Sequence, residues 1–372
     1  MNESHIYFMN RALTLAEIAK GRTNPNPLVG AVVVKDGEII AEGYHAKAGE
    51  PHAEIHALGA AGEKADGATL YVTLEPCCHW GRTPPCTDAI IKSGIASVYI
   101  AHLDPNPKVA GKGIQELETA GIKTTVGVCA EAAETLNEVY IKHITTGYPF
   151  VILKTAMSLD GKIATSTGES KWITSEVSRE KVHELRDQVD AILVGIGTIL
   201  SDDPALTTRL QDKKGKDPTR IVLDSHARTP LTARIINPDS LAEVIIAVTS
   251  QAPKEKIVQL EKRNAKVIVI PEKDGRVCFK TLMQNIGERG LTSVLVEGGG
   301  KVNESVLKSG VVDKVMCFIA PKFIGGRQSP GIIDGDGIKR LRDAHELERL
   351  TVTQLDNDLL IEGYITNKCL QG

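Results

Sequence analysis

Two short segments of the chain carry side chains that could hold a metal ion. The first is His52-Ala53-Glu54, and the second is EPCCHWGRTPPC, which covers residues 75–86. Catalytic zinc usually has three nitrogen or sulfur ligands and one open position, whereas structural zinc takes four protein ligands. We expect His52, Cys77 and Cys86 to be the three ligands, with water at the open position.

Glu54 lies two residues beyond the histidine, in the first turn of a predicted helix. From there a carboxylate can reach the water without binding the metal. We predict that Glu54 takes a proton as the water attacks a carbon bearing an exocyclic amine. It then delivers protons to the ring nitrogen and to the departing ammonia. A carboxylate with a pKa raised by burial suits this exchange.

The pattern H-x-E followed by P-C-x-x-C is the signature of zinc nucleobase deaminases. The chain departs from it, since eight residues separate Cys77 from Cys86. Cys78 is adjacent, but neighbouring side chains point in different directions, which favours Cys86. A structural four-ligand site with Cys77, Cys86 and either Cys78 or His79 stays an alternative, although it leaves His52-Ala53-Glu54 without a role.

The composition favours a cytoplasmic enzyme of two domains. A chain of 372 residues exceeds what one core usually supports. The net charge of -3 argues against binding nucleic acid by bulk electrostatics. No apolar run approaches the ~20 residues that span a bilayer, and the N-terminus has the spacing of an amphipathic helix rather than a signal peptide. In a reducing compartment, seven cysteines suggest metal binding or catalysis more than disulfides.

Short apolar strands alternate with helical patterns along the first part of the chain, which predicts a layered α/β domain. The predicted strands are 28–34, 39–42, 69–74, 97–101 and 123–126. The predicted helices are the N-terminal segment, 53–61, 87–93, 113–120 and 130–146. Gly147-Tyr148-Pro149 then marks the expected domain boundary.

A second α/β series follows the boundary. Its predicted strands are 150–157, 191–195, 220–223, 244–248, 267–270, 293–296 and 314–319. Its predicted helices are 176–189, 253–263, 281–289 and 302–309. The run VLVEGGG before the last helix suggests a nucleotide site, because glycines let a diphosphate approach the backbone at a helix N-terminus. This signal is weak alone, since it matches neither GxGxxG nor the P-loop.

Longer motifs give the chain a family resemblance. The segments NPNPLVGAVVV, HAEIHAL and TLEPCCHWGRTPPC resemble the deaminase half of the bifunctional riboflavin-biosynthesis deaminase/reductases. The segments LKTAMSLDGKIATSTGESKWIT, ILVGIGTILSDDPALTTR and VEGGGKVNES resemble the reductase half, in the same order. The resemblance covers nearly the whole chain. It implies a cytidine-deaminase-like three-layer α/β domain over 1–147 and a dihydrofolate-reductase-like α/β domain over 148–372.

The same resemblance implies two consecutive reactions. The first is zinc-dependent deamination of 2,5-diamino-6-(5-phosphoribosylamino)pyrimidin-4(3H)-one. The second is NADPH reduction of the ribosyl group of the product, 5-amino-6-(5-phosphoribosylamino)uracil, to ribityl. The enzyme would act on small molecules, bind neither nucleic acid nor membrane, and form a homo-oligomer.

Site residues are also implied by the resemblance. Contacts to the deaminase substrate are expected from Asn26, His45, His79, Arg82, Asp104 and Asn106. NADPH contacts are expected from Ala156, Trp172, Thr198, Asp202, Gly299, Gly300, Lys301, Val302, Asn303, Glu304 and Ser305. Contacts to the reductase substrate are expected from Ser170, Arg186, Leu206, Arg209 and Glu297. Arg186 and Arg209 suit a ribose phosphate, because guanidinium groups bind phosphate oxygens bidentately. Lys154 and Asp160 are candidates for proton handling.

Two competing hypotheses remain at this point. The first is a nucleoside or nucleic-acid base deaminase with an unrelated C-terminal domain, which predicts no NADPH binding. The second is a zinc-stabilised binding module, which predicts closed coordination and little effect of replacing Glu54.

Overall fold

The chain divides into two compact units, Met1–Gly147 and Tyr148–Gly372. The computed structural model describes residues 3–80, 84–107, 109–212, 214–236 and 240–366. No helix in these ranges is long and apolar enough to cross a membrane.

The N-terminal unit is built on a five-stranded sheet with the order β2-β1-β3-β4-β5. Its strands are β1 Gly30–Lys35, β2 Glu38–Tyr44, β3 Thr69–Leu74, β4 Ser97–His102 and β5 Lys123–Val126. Its helices are α1 Glu3–Glu17, α2 Ala53–Ala61, α3 Cys86–Lys92, α4 Lys112–Thr119, α5 Ala130–Leu136 and α6 Glu138–Thr146. β1 pairs antiparallel with β2 and β3, whereas β3, β4 and β5 are parallel.

Alternation along β1 shows how this sequence makes three layers. Ala31 and Val33 pack into one core with α2, α3 and α4. Val32 and Val34 pack into the opposite core with α1 and α5. Side chains of a strand point alternately to the two faces, so an unbroken apolar run predicts a sheet covered on both sides.

The C-terminal unit contains a nine-stranded sheet with the order β10-β9-β8-β7-β13-β6-β14-β16-β15. Its long strands are β6 Phe150–Ser158, β7 Ala191–Gly195, β8 Thr219–Leu223, β9 Val244–Val248, β10 Ala265–Val269, β13 Ser293–Val296, β14 Lys314–Ala320, β15 Leu347–Leu355 and β16 Asp358–Ile365. A separate small hairpin consists of β11 Glu272–Lys273 and β12 Arg276–Val277. The helices are α7 Glu176–Gln188, α8 Ile196–Asp202, α9 Lys254–Glu261, α10 Phe279–Glu288 and α11 Gly300–Ser309.

Two cores cover the faces of this second sheet. Residues of α10 and α11 pack with one face, and residues of α8 and α9 pack with the other. From β10 to β14 the neighbouring strands are parallel, and β16 and β15 complete one edge in antiparallel register. The predicted fold class, two α/β domains, is therefore confirmed.

Four features differ from the sequence prediction. The single helix predicted over 130–146 is two helices that meet at Asn137, because the side chain of Asn137 bonds both backbone groups of Leu28. The helix α8 and the hairpins β11–β12 and β15–β16 were not predicted. β15 is exposed along almost its whole length, so it lacks the alternation that identifies a half-buried strand.

Candidate active sites

The three predicted zinc ligands meet at one end of the N-terminal sheet, beyond the carboxyl end of β3. His52 immediately precedes α2, Cys77 follows β3, and Cys86 is the first residue of α3. The His52 Nδ1 atom lies 3.2 Å from Cys86 Sγ and 3.5 Å from Cys77 Sγ. All three ligand atoms lie within 4.8 Å of one another. Tetrahedral zinc with Zn–N of ~2.0 Å and Zn–S of ~2.3 Å separates such atoms by about 3.5–3.8 Å, so the trio fits this ion.

Electrostatics at the two sulfurs also favours a cation. A hydrogen bond from Cys86 lowers the pKa of Cys77 to about 4, and the backbone N–H of Cys86 donates to the same sulfur at 3.4 Å. The same pairing raises the pKa of Cys86, and its burial adds to the effect. One thiolate therefore opposes the formation of a second. A divalent cation between the sulfurs removes that opposition.

Glu54 lies in the first turn of α2 and is only 3% exposed. Burial, followed by the negative charge of Cys77, raises the pKa of its carboxyl to about 7. Such a group both accepts and releases protons near neutral pH. This is the property that the sequence predicted for a proton carrier.

The alternative four-ligand zinc site is not assembled by the described residues, among which His52, Cys77 and Cys86 are the only group able to hold a metal. Burial and the nearby charge of Glu116 raise the pKa of Cys78, so its thiol stays protonated. His79 is exposed. Arg82, which was predicted to contact the substrate, lies outside the described residues.

Asn26 and His45 form a chain that leads to the zinc ligands. Nδ1 of His45 donates to the carbonyl of Pro51 at 3.1 Å, so its Nε2 can accept from the amide of Asn26 at 3.2 Å. Burial lowers the pKa of His45, which keeps this ring neutral. The His45 ring also packs edge-on against His52, with 5.3 Å between centroids. Two predicted substrate residues are thus fixed beside the metal site.

Asp104 and Asn106 lie after β4, whose carboxyl end neighbours that of β3. Asp104 Oδ1 accepts hydrogen bonds from the backbone N–H of Asn106 and from the Tyr140 hydroxyl, both at 2.9 Å. Burial raises the pKa of Asp104. Because parallel strands end at a common edge, these residues share the edge of the sheet that carries Cys77.

Glu75 holds the loops at this end of the sheet together, and the sequence analysis assigned it no role. Its carboxylate is buried and accepts from the backbone N–H groups of Asp104, Gly111 and Gly113 at 3.3, 3.0 and 3.1 Å. It therefore ties the loop after β4 to the segment that carries Cys77. The sequence feature that could have identified Glu75 is its position two residues before Cys77.

In the C-terminal unit, Glu297 follows β13 and forms a buried ion-pair cluster. Arg186 of α7 donates from Nε and Nη2 to the two carboxylate oxygens of Glu297 at 2.8 and 3.0 Å. Lys154 of β6 lies 3.5 Å from Glu297 Oε2. Burial acts to raise the pKa of Glu297, but the charges of Arg186 and Lys154 outweigh it and lower the pKa to about 2.

This cluster changes the interpretation of Arg186. Its third donor, Nη1, bonds the carbonyl of Thr207 at 3.2 Å. Glu297 occupies the guanidinium edge formed by Nε and Nη2, so a bidentate contact from Arg186 to a phosphate would use the other edge and stays a prediction. Arg209, in contrast, is exposed.

Leu206 is buried and has a left-handed backbone with φ of 53°, which is rare for a leucine and common at ligand sites. Ser170 is half-buried.

Asp160, a candidate for proton handling, is held by three hydrogen bonds. It accepts hydrogen bonds from the Ser158 hydroxyl at 2.6 Å and from the backbone N–H groups of Ile324 and Gly325 at 3.1 and 2.7 Å. The bond from Ser158 and the two backbone bonds lower the pKa of Asp160 to about 2. The carboxylate stays ionised and holds two loops together.

The glycine-rich turn before α11 is the predicted diphosphate site. A Cβ at Gly298 would lie 2.5 Å from the Cβ of Val302, and one at Gly300 would lie 2.7 Å from the Asp334 carboxyl carbon. Packing therefore accounts for these two glycines. A Cβ at Gly299 would meet nothing within 4 Å, and its φ of -78° is open to any residue. Open space beside the helix N-terminus fits the approach of a dinucleotide.

The other predicted NADPH residues differ in their surroundings. Thr198 is half-buried and Asp202 exposed on α8, Ala156 is half-buried on β6, and Lys301 is exposed on α11. Trp172 is 63% exposed and lies under the guanidinium of Arg179, 4.6 Å from the ring centroid. Asn303 donates to the carbonyl of Ile332 at 2.7 Å, while Glu304 and Ser305 contact Arg276. Whether these residues contact NADPH stays a prediction.

Comparisons with known proteins cover both units. Residues 2–102 match the family model described as cytidine and deoxycytidylate deaminase zinc-binding region. Residues 149–361 match the model described as RibD C-terminal domain.

Similar proteins extend the match to nearly the full chain. The chain is 46% identical over 355 residues to the riboflavin biosynthesis protein RibD of Aquifex aeolicus, covering 95% of this chain and 96% of that protein. It is 42% identical over 366 residues to RibD of Escherichia coli, covering 95% and 98%. Among solved structures, Acinetobacter baumannii RibD superposes with a TM-score of 0.87 at 38% identity, covering 98% and 99%. The diaminohydroxyphosphoribosylaminopyrimidine deaminase/5-amino-6-(5-phosphoribosylamino)uracil reductase of Thermotoga maritima gives 0.86 at 40%, with the same coverage.

Proposed function

The chain belongs to the RibD family of riboflavin-biosynthesis deaminase/reductases, and we propose which of its residues perform each of the two reactions. The protein is a bifunctional enzyme with a zinc-dependent deaminase and an NADPH-dependent reductase. It acts on small molecules, as the sequence predicted. The alternative of a base deaminase with an unrelated C-terminal domain is not favoured, since that domain matches the RibD reductase.

We assign residues 1–147 to deamination and residues 148–372 to reduction. His52, Cys77 and Cys86 would hold zinc through Nδ1 and two thiolates. When bound, zinc supplies a Lewis acid that makes hydroxide available near neutral pH. The observation that carries this proposal is the meeting of these three ligand atoms beside the buried carboxyl of Glu54.

Glu54 moves the protons of the hydrolysis. It accepts one proton from water as the new C–O bond forms at C2 of the pyrimidine, and it passes that proton to the ring nitrogen. It then carries a second proton from the oxygen to the amino group as the C–N bond breaks. Ammonia leaves, and a carbonyl remains. A pKa of about 7 allows the carboxyl to act in both directions.

The pyrimidine and its phosphate are bound by residues around this carboxyl. Asn26 and His45 present neutral donors and acceptors next to the metal site. Asp104 and Asn106 line the neighbouring loop, which Glu75 fixes. We assign His79 and Arg82 to the phosphate, because both belong to the eight-residue insertion between Cys77 and Cys86.

Reduction uses the turn before α11 and the cluster around Glu297. NADPH supplies the hydride, and Gly299 is where its diphosphate approaches the backbone. Arg209 binds the ribose phosphate, whereas Arg186 fixes Glu297 for contact with the ribosyl group. Lys154 is positioned by the same carboxylate and is our candidate for the proton that accompanies the hydride. We further propose a cytoplasmic homo-oligomer that binds no nucleic acid.

A two-product assay tests these assignments. Supplied with the diaminopyrimidinone phosphate and NADPH, the protein should release one ammonia and oxidise one NADPH per substrate. Glu54→Gln should abolish ammonia release and leave reduction of pre-deaminated substrate intact. Retained ammonia release in that variant would refute the role of Glu54.

A further inference from the structure

His183 on α7 contacts Arg209 at two points, and none of the functions above uses it. The backbone N–H of Arg209 donates to Nδ1 of His183 at 3.2 Å. The other ring nitrogen, Nε2, lies 3.3 Å from Nη2 of the Arg209 guanidinium. His183 also precedes Arg186 by three residues on the same helix, so both side chains project from one face.

The two contacts cannot both be hydrogen bonds. Both groups of Arg209 are donors, and a neutral ring has one acceptor; the backbone N–H cannot turn away as the exposed guanidinium can, so Nδ1 is the acceptor. In a neutral imidazole the remaining nitrogen, Nε2, then carries the proton. Nε2–H consequently faces a guanidinium N–H, and two donors lie 3.3 Å apart.

The charges around the His183 ring keep it from taking up a second proton. The groups facing it are Arg186 on its own helix, Arg209 on the loop after α8, Lys154 on β6 and Glu297 after β13. Burial and the positive charges of Arg186 and Arg209 outweigh Glu297 and lower the pKa of His183 to about 4. The ring is therefore neutral at pH 7, with its single proton on Nε2.

Two donors this close together can share one acceptor, and the surrounding positive charges favour an anion in that place. We propose that His183 binds the substrate's ribose phosphate together with Arg209, with Nε2–H and Nη2–H donating to one phosphate oxygen. Nδ1 meanwhile fixes the backbone of Arg209, so His183 also positions the residue with which it binds. This inference rests on the proposed contact between Arg209 and the phosphate.

The test compares His183→Asn with Glu184→Gln. Asparagine keeps an acceptor for the Arg209 N–H near the position of Nδ1 and removes the donor at Nε2. Loss of one hydrogen bond to a charged group should raise the KM for 5-amino-6-(5-phosphoribosylamino)uracil about 10-fold or more, with kcat little changed. The Ki of inorganic phosphate as a competitor should rise by the same factor. Glu184, next along the helix, has a side chain 44% exposed and paired with Lys181; it is the matched control and should leave both constants unchanged.

Nitrogen NMR of the unmodified protein makes the test independent of how the variant folds. The ¹⁵N spectrum should show His183 protonated on Nε2, and inorganic phosphate should shift that resonance. A proton on Nδ1, or unchanged KM and Ki in His183→Asn, overturns the inference if Arg209→Lys still weakens phosphate binding. If Arg209→Lys has no effect either, the proposed phosphate site itself is wrong.

Discussion

Replacing Glu297 with glutamine tests the buried cluster of the reductase unit. The carboxylate pairs with both Arg186 and Lys154, whose side chains are only 12% and 14% exposed. The drop of the Glu297 pKa from 4.5 to about 2 corresponds to about 3 kcal/mol of unfolding free energy at pH 7. Removing one member of a buried ion pair usually costs a similar amount, because the partner charges stay buried.

The pH dependence of this loss of unfolding free energy follows from the direction of the Glu297 pKa shift. The pKa of Glu297 is lower in the folded protein, so its stabilising contribution is fully present above pH 4.5 and disappears as the pH falls towards 2. Glu297→Gln should therefore lower the unfolding free energy of the C-terminal unit by about 3 kcal/mol at pH 7 and by progressively less below pH 4.5.

Hydrogen exchange is measured on peptides from β7 and β13 at increasing urea concentrations. These peptides report the unfolding free energy of the C-terminal unit separately from that of the N-terminal unit. Glu184→Gln, which removes an exposed pair, serves as control and should cost less than about 1 kcal/mol. Equal stability of Glu297→Gln and the unmodified protein at pH 7 would refute the reasoning. A deficit that stays constant down to pH 2.5 would also refute it, because the effect would then not come from the charge.

Four further substitutions, one of them a control, test other parts of the account. Gly299→Ala should raise the Kd of NADPH about 10-fold by obstructing the diphosphate, while thermal unfolding stays unchanged because the added Cβ meets no protein atom within 4 Å; unchanged NADPH affinity in calorimetry would place the cofactor elsewhere. Glu75→Gln should raise the deaminase KM about 10-fold, since the backbone N–H groups of Asp104, Gly111 and Gly113 lose a charged acceptor, and should leave reductase kinetics intact; equal losses in both activities would contradict this. Cys86→Ser should abolish zinc binding in metal analysis while Cys78→Ser retains it, and the opposite result would exchange the roles of the two cysteines.

The sequence predicted the fold and the core of the deaminase site because both depend on local signals. Short unbroken apolar runs identified the buried strands, as β1 illustrates, and the H-x-E and cysteine segments identified the ligand residues. Ligands that flank helix starts and strand ends come together once those elements pack.

Long-range polar contacts could not be predicted in the same way. Asn137 lies 109 positions from Leu28, and Glu297 lies 111 positions from Arg186. The periodicity of the sequence does not predict contacts between such distant positions. The break between α5 and α6 and the ion pair of Arg186 with Glu297 were therefore seen only in the structure. The position of His183 beside Arg209 depends on the same kind of contact.

X-ray absorption at the zinc edge of the full-length protein tests the central claim most directly. The account predicts one zinc per chain with two sulfur neighbours at ~2.3 Å and two nitrogen or oxygen neighbours at ~2.0–2.1 Å, one of them an imidazole and the other water. Three sulfur neighbours, or four protein ligands with no water, would contradict an open catalytic site at His52, Cys77 and Cys86.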